Sequence, residues 1–194
     1  MSRTATATAT ARTATANARS VSPDRHGSIV DAKSLVLLAV LLAAGFILSM
    51  TVGNALAVVG IKPQFTIAAY VLAILLTRAS LPAALAYGVI TAAVIQLTAS
   101  IPGLNFATEP VAALACAALA RLDLKIGGRN VTPFLAALVT TLVSGGLFAT
   151  LGTLVSGAAA ATILVKLPTV LSVSIFNAVV VQALYFPMRA ALKR

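Results

Sequence analysis

The stretch Ser34–Val52 reads SLVLLAVLLAAGFILSMTV and contains no charged side chain. A helix needs about 20 mostly apolar residues to cross the hydrocarbon core of a bilayer, and this stretch has that length. Because no water is available there to hydrogen-bond the backbone, a spanning segment has to satisfy its own N–H and C=O groups as a helix. We therefore predict that Ser34–Val52 is a transmembrane helix.

The rest of the chain has a similar composition. Of its 194 residues, 60% are hydrophobic and only 9% are charged, and the mean hydropathy is +1.03. Soluble domains are about a quarter charged, so a soluble fold of this size would have too few polar side chains to cover its surface. The composition excludes a soluble enzyme and predicts an all-α integral membrane protein.

Five further apolar stretches predict a bundle of six transmembrane helices within residues 31–194, with five or seven spans as the alternatives. They are Pro63–Thr77, Leu81–Ser100, Pro110–Ala120, Thr132–Ser156 and about Ile163–Phe186. A proline suits a first helical turn, where its missing N–H is not needed. Residues 1–30 are rich in Ala, Thr and Arg and nearly lack large apolar side chains, so we predict a disordered tail.

The basic residues are distributed unevenly over the joints between these stretches. Twelve of the 14 fall on one side: Arg3, Arg12, Arg19, Arg25, Lys33, Arg78, Arg121, Lys125, Arg129, Arg189, Lys193 and Arg194. Only Lys62 and Lys166 fall on the other side. Lys and Arg are enriched in cytoplasmic loops, so both termini are predicted to lie in the cytoplasm.

The motifs of several enzyme classes are absent from the sequence. It has no GxxxxGK[S/T], no HExxH and no pair of cysteines, and its only histidine, His26, lies in the predicted tail. We therefore predict no catalytic residues, no metal site and no cofactor. No basic or acidic side chain falls in the middle of a predicted span, which disfavours a proton- or ion-driven carrier.

Polar and aromatic side chains concentrate at the two outer connections, after the first and third predicted helices. They are Asn54, Lys62, Gln64, Phe65, Gln96, Asn105, Phe106 and Glu109. A cavity lined in this way could hold a small zwitterion, with Lys62 pairing with a carboxylate and Glu109 with an ammonium group. The less specific reading is that Lys62 only reaches the membrane interface and that Glu109, placed just before Pro110, only caps a helix.

Two further features lie inside the spans. Asn177 is a candidate ligand near the outer end of the last helix, although such amides, like Gln182, more often bond a neighbouring helix. Ala39 and Ala43 lie four residues apart on one face of the first helix. Small residues at this spacing let another helix approach closely, either that of a partner protein or one of the same bundle.

These features resemble the substrate-capture subunits of energy-coupling-factor transporters, which have six helices, both termini inside, no nucleotide site and an AxxxA on helix one. Within that group, GIKPQFTIAAYVLAIL (60–75) and IPGLNFATEPVAAL (101–114) look like the bacterial tryptophan transporter family. In that family a Lys-Pro opens helix two, and a Gly/Pro-rich loop with an Asn precedes helix four. The resemblance covers about residues 31–190. Glu109 departs from the Asp-Lys pair expected at its place, which bears on the ligand more than on the family.

The resemblance implies a mechanism in the plasma membrane of a bacterial or archaeal cell. The subunit would bind a nutrient, most plausibly tryptophan, from outside, with Lys62, Asn105 and Glu109 carried over as pocket candidates. It would dock through Ala39 and Ala43 onto a membrane coupling subunit driven by two ATP-binding-cassette ATPases. The alternatives are a capture subunit for a vitamin such as thiamin or biotin, a standalone carrier for an aromatic amino acid, and a membrane scaffold without a ligand.

Overall fold

The computed structural model describes residues 30–58, 60 and 62–192, so the predicted tail lies outside the described residues except for its last position. The described chain is mostly helical, as predicted. Its elements are α1 (Ala32–Leu48), a π-helical turn (Ser49–Gly53), α2 (Asn54–Ala57), α3 (Phe65–Thr77), α4 (Leu81–Ile95), α5 (Asn105–Leu119), β1 (Lys125–Ile126), β2 (Arg129–Asn130), α6 (Thr132–Val155) and α7 (Ala161–Ala191). The two short strands pair antiparallel as a hairpin between α5 and α6.

Three helical segments are long and apolar enough to cross a membrane. They are Ala32–Ala57, in which α1, the π turn and α2 are continuous, and the helices α6 and α7. The other three, α3, α4 and α5, are apolar but have only 13 to 15 residues. At 1.5 Å per residue they are about 20 Å long, shorter than the hydrocarbon core of a bilayer. Short helices among long ones leave recesses at the ends of the bundle.

Helix α3 is the centre of the bundle. Every residue from Phe65 to Leu75 is buried, and the helix contacts α1, α4, α5, α6 and α7. A helix that is apolar on all sides is stable only when other elements surround it, and α3 has no polar face. Around it, α4 packs along α5, α5 along α6, and α6 along α7.

Two glycines allow close approach of neighbouring helices. A Cβ at Gly45 of α1 would lie 2.8 Å from the carbonyl oxygen of Phe65 at the start of α3. A Cβ at Gly88 of α4 would lie 2.7 Å from the Cα of Pro110 and 2.9 Å from the carbonyl oxygen of Glu109 in α5. Because both contacts are with backbone, only glycine fits at these distances. The second contact sets the distance between α4 and the segment that carries Glu109.

The basic side chains of the described residues divide between the two ends of the bundle. One end, here the arginine-rich end, is formed by the start of α1, the α3–α4 joint, the end of α5, the β-hairpin and the end of α7. It contains Lys33, Arg78, Arg121, Lys125, Arg129 and Arg189. The opposite end, here the lysine end, contains Lys62 before α3 and Lys166 in the second turn of α7. The sequence-based separation of the basic joints is therefore present in space.

One predicted boundary is wrong in a way that matters for the site. Helix α5 begins at Asn105, not at Pro110, so Glu109 lies inside the helix instead of preceding it. The backbone N–H groups of Phe106 and Ala107 already bond the carbonyls of Gly103 and Leu104. A proline is favoured at the first helical position, but here it stands after the first turn, and its Cα packs on Gly88.

Candidate functional site

The segment Lys62–Gln64 is held in place by the start of α3. The backbone N–H of Phe65 donates to Ser49 Oγ at 3.0 Å, and this hydroxyl donates to the carbonyl of Gly45 at 2.8 Å. Pro63 is buried beneath the π turn, with its carbonyl next to Gly53. The side chains of Lys62 and Gln64 remain exposed at the lysine end.

Glu109 is the most unusual side chain at the lysine end, because its carboxyl group lies between helices and the residue is only 1% exposed. Its Oε1 accepts hydrogen bonds from Ser144 Oγ of α6 at 2.5 Å and from Thr108 Oγ1 at 3.5 Å. Its Oε2 makes no hydrogen bond of good geometry within the described residues, but the buried Tyr70 hydroxyl, which also lacks such a bond, interacts with this carboxyl group. A buried acceptor without a good hydrogen bond costs free energy, and a ligand that donates to it would recover that cost.

Two buried amides stand in the same region. Asn105 is 4% exposed, and its Nδ2 has no partner within the described ranges. The Nδ2 of Asn177 donates to the carbonyl of Gln64 at 3.4 Å and to Thr141 Oγ1 at 3.3 Å, so this side chain ties α7 to α3 and α6. Asn177 therefore makes the interhelical bonds expected of an amide in a span, with its Oδ1 left unpaired in the described structure.

These elements enclose a cavity of about 490 Å³, here called the lysine cavity. Four predicted site residues line it: Lys62, Gln64, Asn105 and Glu109. The other lining residues are Ile67, Thr141, Ser144, Gly145, Phe148, Ala149, Val165, Lys166, Thr169, Val170 and Val173. Eight of the fifteen lining residues are polar or charged, but the surface that they expose to the cavity is mostly apolar. The volume lies in the usual range of small-molecule sites.

The charges of the lysine cavity do not neutralise one another directly. Neither Lys62 nor Lys166 forms an ion pair with Glu109; within the described part of the chain, the one ion pair joins Lys125 and Asp123 at the far end. Lys166 Nζ instead donates to Thr153 Oγ1 at 3.2 Å. The cavity therefore presents two ammonium groups and one carboxyl group at separate positions. A ligand that carries both signs of charge could contact both.

A side cavity of about 450 Å³ adjoins the lysine cavity toward α1 and α4. It shares Lys62, Gln64, Asn105 and Phe148 with the lysine cavity and adds Asn54 among its lining residues. The Nδ2 of Asn54 bonds the carbonyl of Met50 at 2.8 Å, one helical turn back. Asn54 is therefore near the site but lies outside the lysine cavity itself.

Four other predicted site residues line neither cavity: Asn177, described above, and Phe65, Phe106 and Gln96. Phe65 is buried and packs edge-on against Phe176, with ring centroids 5.7 Å apart. Phe106 is 45% exposed on the outer face of α5. Gln96 ends α4 and lines neither the lysine cavity nor the side cavity. The aromatic side chain that lines both cavities is Phe148 of α6.

Sequence reasoning missed the contribution of α6 to the site, and in α7 it named Asn177 but not the residues that line the lysine cavity. Thr141 and Ser144 are three residues apart in α6, a spacing that puts two small polar groups on one face. Lys166 was assigned to the correct end but was not connected with a cavity, because its distance from Lys62 in the sequence gives no sign of proximity. Phe148 carried no signal that distinguishes it from other apolar residues.

The small-residue face of α1 is free in the described structure. Ala39 and Ala43 are both exposed, whereas α1 packs on α3 through Leu38, Leu42 and Gly45. The AxxxA face thus takes no part in packing within the described bundle. Bulky apolar residues flank it, with Val36, Val40 and Ile47 each more than 60% exposed.

Comparison with known proteins assigns no relative to this chain: no protein-family model, curated protein or solved structure matches it. Within the described ranges, no group of three His, Cys, Asp or Glu side chains is placed to hold a metal ion. The function therefore has to be argued from the cavity and from the surfaces of the bundle.

Proposed function

We propose that this protein is the substrate-capture subunit of an energy-coupling-factor importer and binds a small amphiphilic zwitterion, with tryptophan as the first candidate. The observation that carries the proposal is the lysine cavity, in which Lys62, Asn105 and Glu109 come together from separate segments. A ligand carboxylate would pair with Lys62 and a ligand ammonium group with the carboxyl group of Glu109.

The apolar wall of the cavity suits the side chain of such a ligand. Phe148, Ile67 and Val170 line the cavity together with other aliphatic residues. An indole ring buries a large apolar area and offers one N–H donor, which polar groups at the rim could accept. Phe148 is the aromatic side chain that would pack against such a ring.

The proposed membrane arrangement has six spans and places the lysine end outside the cell. The three short helices are taken as spans because α3 is surrounded by the other helices of the bundle, and α4 and α5 pack together as a pair. The arginine-rich end then faces the cytoplasm together with both termini. In this orientation the ligand enters from outside, and the plasma membrane of a bacterial or archaeal cell is the expected location.

The proposed transport needs ATP hydrolysis, which partner proteins would supply. The sequence contains no phosphate-binding loop, so a capture subunit of this kind needs ATPases and a membrane coupling subunit to release its ligand inward. The exposed face of Ala39 and Ala43 is our candidate for docking on that coupling subunit. A helix from the partner could approach closely there, because the alanine side chains are small.

One observation favours a second function, that of a standalone proton-driven carrier. Glu109 is a buried carboxyl group within a helix, and it faces a cavity. Ionisable residues in such positions often serve in proton-coupled transport. Uptake that survives loss of the ATPases would favour this carrier, and uptake that needs them would favour the capture subunit.

A thermal-shift screen of the purified protein tests the proposed ligand. Tryptophan, other amino acids, thiamin and biotin are added in turn, and the melting temperature is measured. A ligand at 100 times its dissociation constant stabilises the native state by about 2.7 kcal/mol. We expect tryptophan to raise the melting temperature; a response to thiamin or biotin alone would identify a vitamin-type capture subunit, and no response to any of them would contradict a nutrient-binding function.

A further inference from the structure

A second cavity, of about 860 Å³, lies at the arginine-rich end and is here called the arginine cavity. It opens between the α3–α4 joint, the end of α5, the β-hairpin and the last turns of α7. It is far from Lys62 and Glu109 and shares no lining residue with the lysine cavity. A ligand bound here would not compete with the solute that we propose for the lysine cavity.

The charge of the arginine cavity is strongly unbalanced. Four cationic side chains from four parts of the fold line it: Arg78, Arg121, Lys125 and Arg189. Asp123 is the one carboxylate among the lining residues, and it pairs with Lys125 at 3.3 Å and also accepts a bond from Asn130 Nδ2 at 3.1 Å. The three guanidinium groups form no ion pair with any described residue.

Arg78 occupies a backbone position at which a glycine would be expected. It follows α3 with φ 49° and ψ 49°, and it is the one non-glycine residue with a positive φ in the described structure. Helices commonly end on a left-handed residue, and glycine is favoured there because any Cβ is strained. An arginine at such a strained position indicates that its side chain has a function.

Arg189 is also placed by its surroundings. Its guanidinium carbon lies 5.8 Å from the centre of the Tyr185 ring, and both residues line the arginine cavity. Stacking on an aromatic face orients the planar group and leaves its N–H donors directed outward. The topology of basic loops explains why arginines occur at this end, but it does not explain why they converge on one concave site.

We propose that the arginine cavity binds a phosphate group, either in the headgroup of an anionic phospholipid or as free inorganic phosphate. Several guanidinium groups without carboxylate partners match the oxygens of a phosphate, with which arginine forms paired hydrogen bonds. The exposed apolar side chains of Leu122, Ile126 and Leu192 near the same end favour a lipid as the source. In the membrane arrangement proposed above, this end lies at the level of the headgroups.

The experiment measures melting temperatures of the purified full-length protein at constant ionic strength. Micelles are doped with phosphatidylglycerol in one series and with phosphatidylcholine in a second, and inorganic phosphate replaces the lipid in a third. We expect phosphatidylglycerol to raise the melting temperature with saturation and phosphatidylcholine to have no effect. A saturable effect of inorganic phosphate alone would identify free phosphate as the source.

Two variants separate a site from general charge attraction. Arg78→Gly relieves the strained backbone, so the ligand-free variant should melt no lower than the parent protein. Because it also removes one guanidinium group, the phosphatidylglycerol concentration that gives half of the maximal shift should rise about tenfold. Arg129 lies in the β-hairpin, but its side chain is exposed and does not line the arginine cavity. Arg129→Gln should therefore leave binding unchanged. Equal effects of the two variants, or no saturable response to either phosphate source, would overturn the proposal.

Discussion

At the scale of single residues, two polar atoms at the lysine cavity lack hydrogen bonds of good geometry in the described structure. Glu109 Oε2 and Asn105 Nδ2 are both buried, and they offer an acceptor and a donor to whatever occupies the cavity. Buried polar groups are nearly always hydrogen-bonded, so such atoms point to a missing partner. The affinity for a ligand should depend on these atoms more than on the size of the cavity.

Glu109→Gln tests this dependence with little change in shape. The amide can still accept the bond from Ser144, but it can no longer pair with a ligand ammonium group. Hydrogen bonds to charged groups contribute about 1.5–3 kcal/mol, so tryptophan binding measured by calorimetry should weaken at least tenfold. Lys62→Ala should weaken it to a similar extent.

The matched control for this series is Phe106→Ala. Phe106 is exposed and lines neither cavity, so its truncation should leave the dissociation constant within about twofold of the parent value. An unchanged affinity in Glu109→Gln and Lys62→Ala, or a loss of affinity in Phe106→Ala, would show that the ligand binds elsewhere.

At the scale of the elements, the contact between α4 and α5 depends on one glycine. In Gly88→Ala the new Cβ would meet backbone atoms of α5 at 2.7 and 2.9 Å, and neither can move without shifting a helix. We expect a loss of stability of about 1–3 kcal/mol, the usual cost of overpacking. The measurement is the melting temperature of the purified variant.

Gly146→Ala is the control, because Gly146 also lies inside a helix but a Cβ there has no neighbour within 4 Å. Alanine has the higher helix propensity, so this variant should be neutral or more stable by up to about 1 kcal/mol. Similar melting temperatures for the two variants would contradict the close approach of α4 and α5.

The exposed face of α1 gives a prediction that separates binding from transport. Ala39→Leu adds bulk where we propose a partner helix to dock, while the bundle itself makes no contact there that would be disturbed. Ligand binding by the purified variant should be unchanged, and uptake by cells that express the coupling subunit and the ATPases should be lost. Ala93→Leu places the same bulk on an exposed position of α4 and should retain both.

At the scale of the whole molecule, the proposed orientation can be tested by labelling. Cys116 is fully buried, so Cys116→Ala provides a background into which Lys62→Cys and Lys125→Cys are introduced singly. A membrane-impermeant thiol reagent applied to intact cells should modify the cysteine at position 62 and spare that at position 125. Modification of both from the same side would refute the six-span arrangement.

Much of the fold could be predicted from the sequence. Ser34–Val52 and the other apolar stretches predicted helices, because stretches of this composition are stable in an apolar environment, where the backbone has to form its own hydrogen bonds. The separation of Lys62 and Lys166 from the remaining basic residues followed from counting the joints, since each helix reverses the direction of the chain. These are local or additive properties, and they depend little on how the helices pack.

The composition of the site depended on the tertiary structure. Residues 105, 106 and 109 would be equivalent as members of a loop, but α5 begins at Asn105, and residues four apart then share a face. Asn105 and Glu109 therefore face the cavity, while Phe106 is turned outward. Lys166, Ser144 and Phe148 were brought to the site only by the packing of α6 and α7 on α3, because contacts between distant segments arise from helix rotation and close packing, which composition and spacing do not specify.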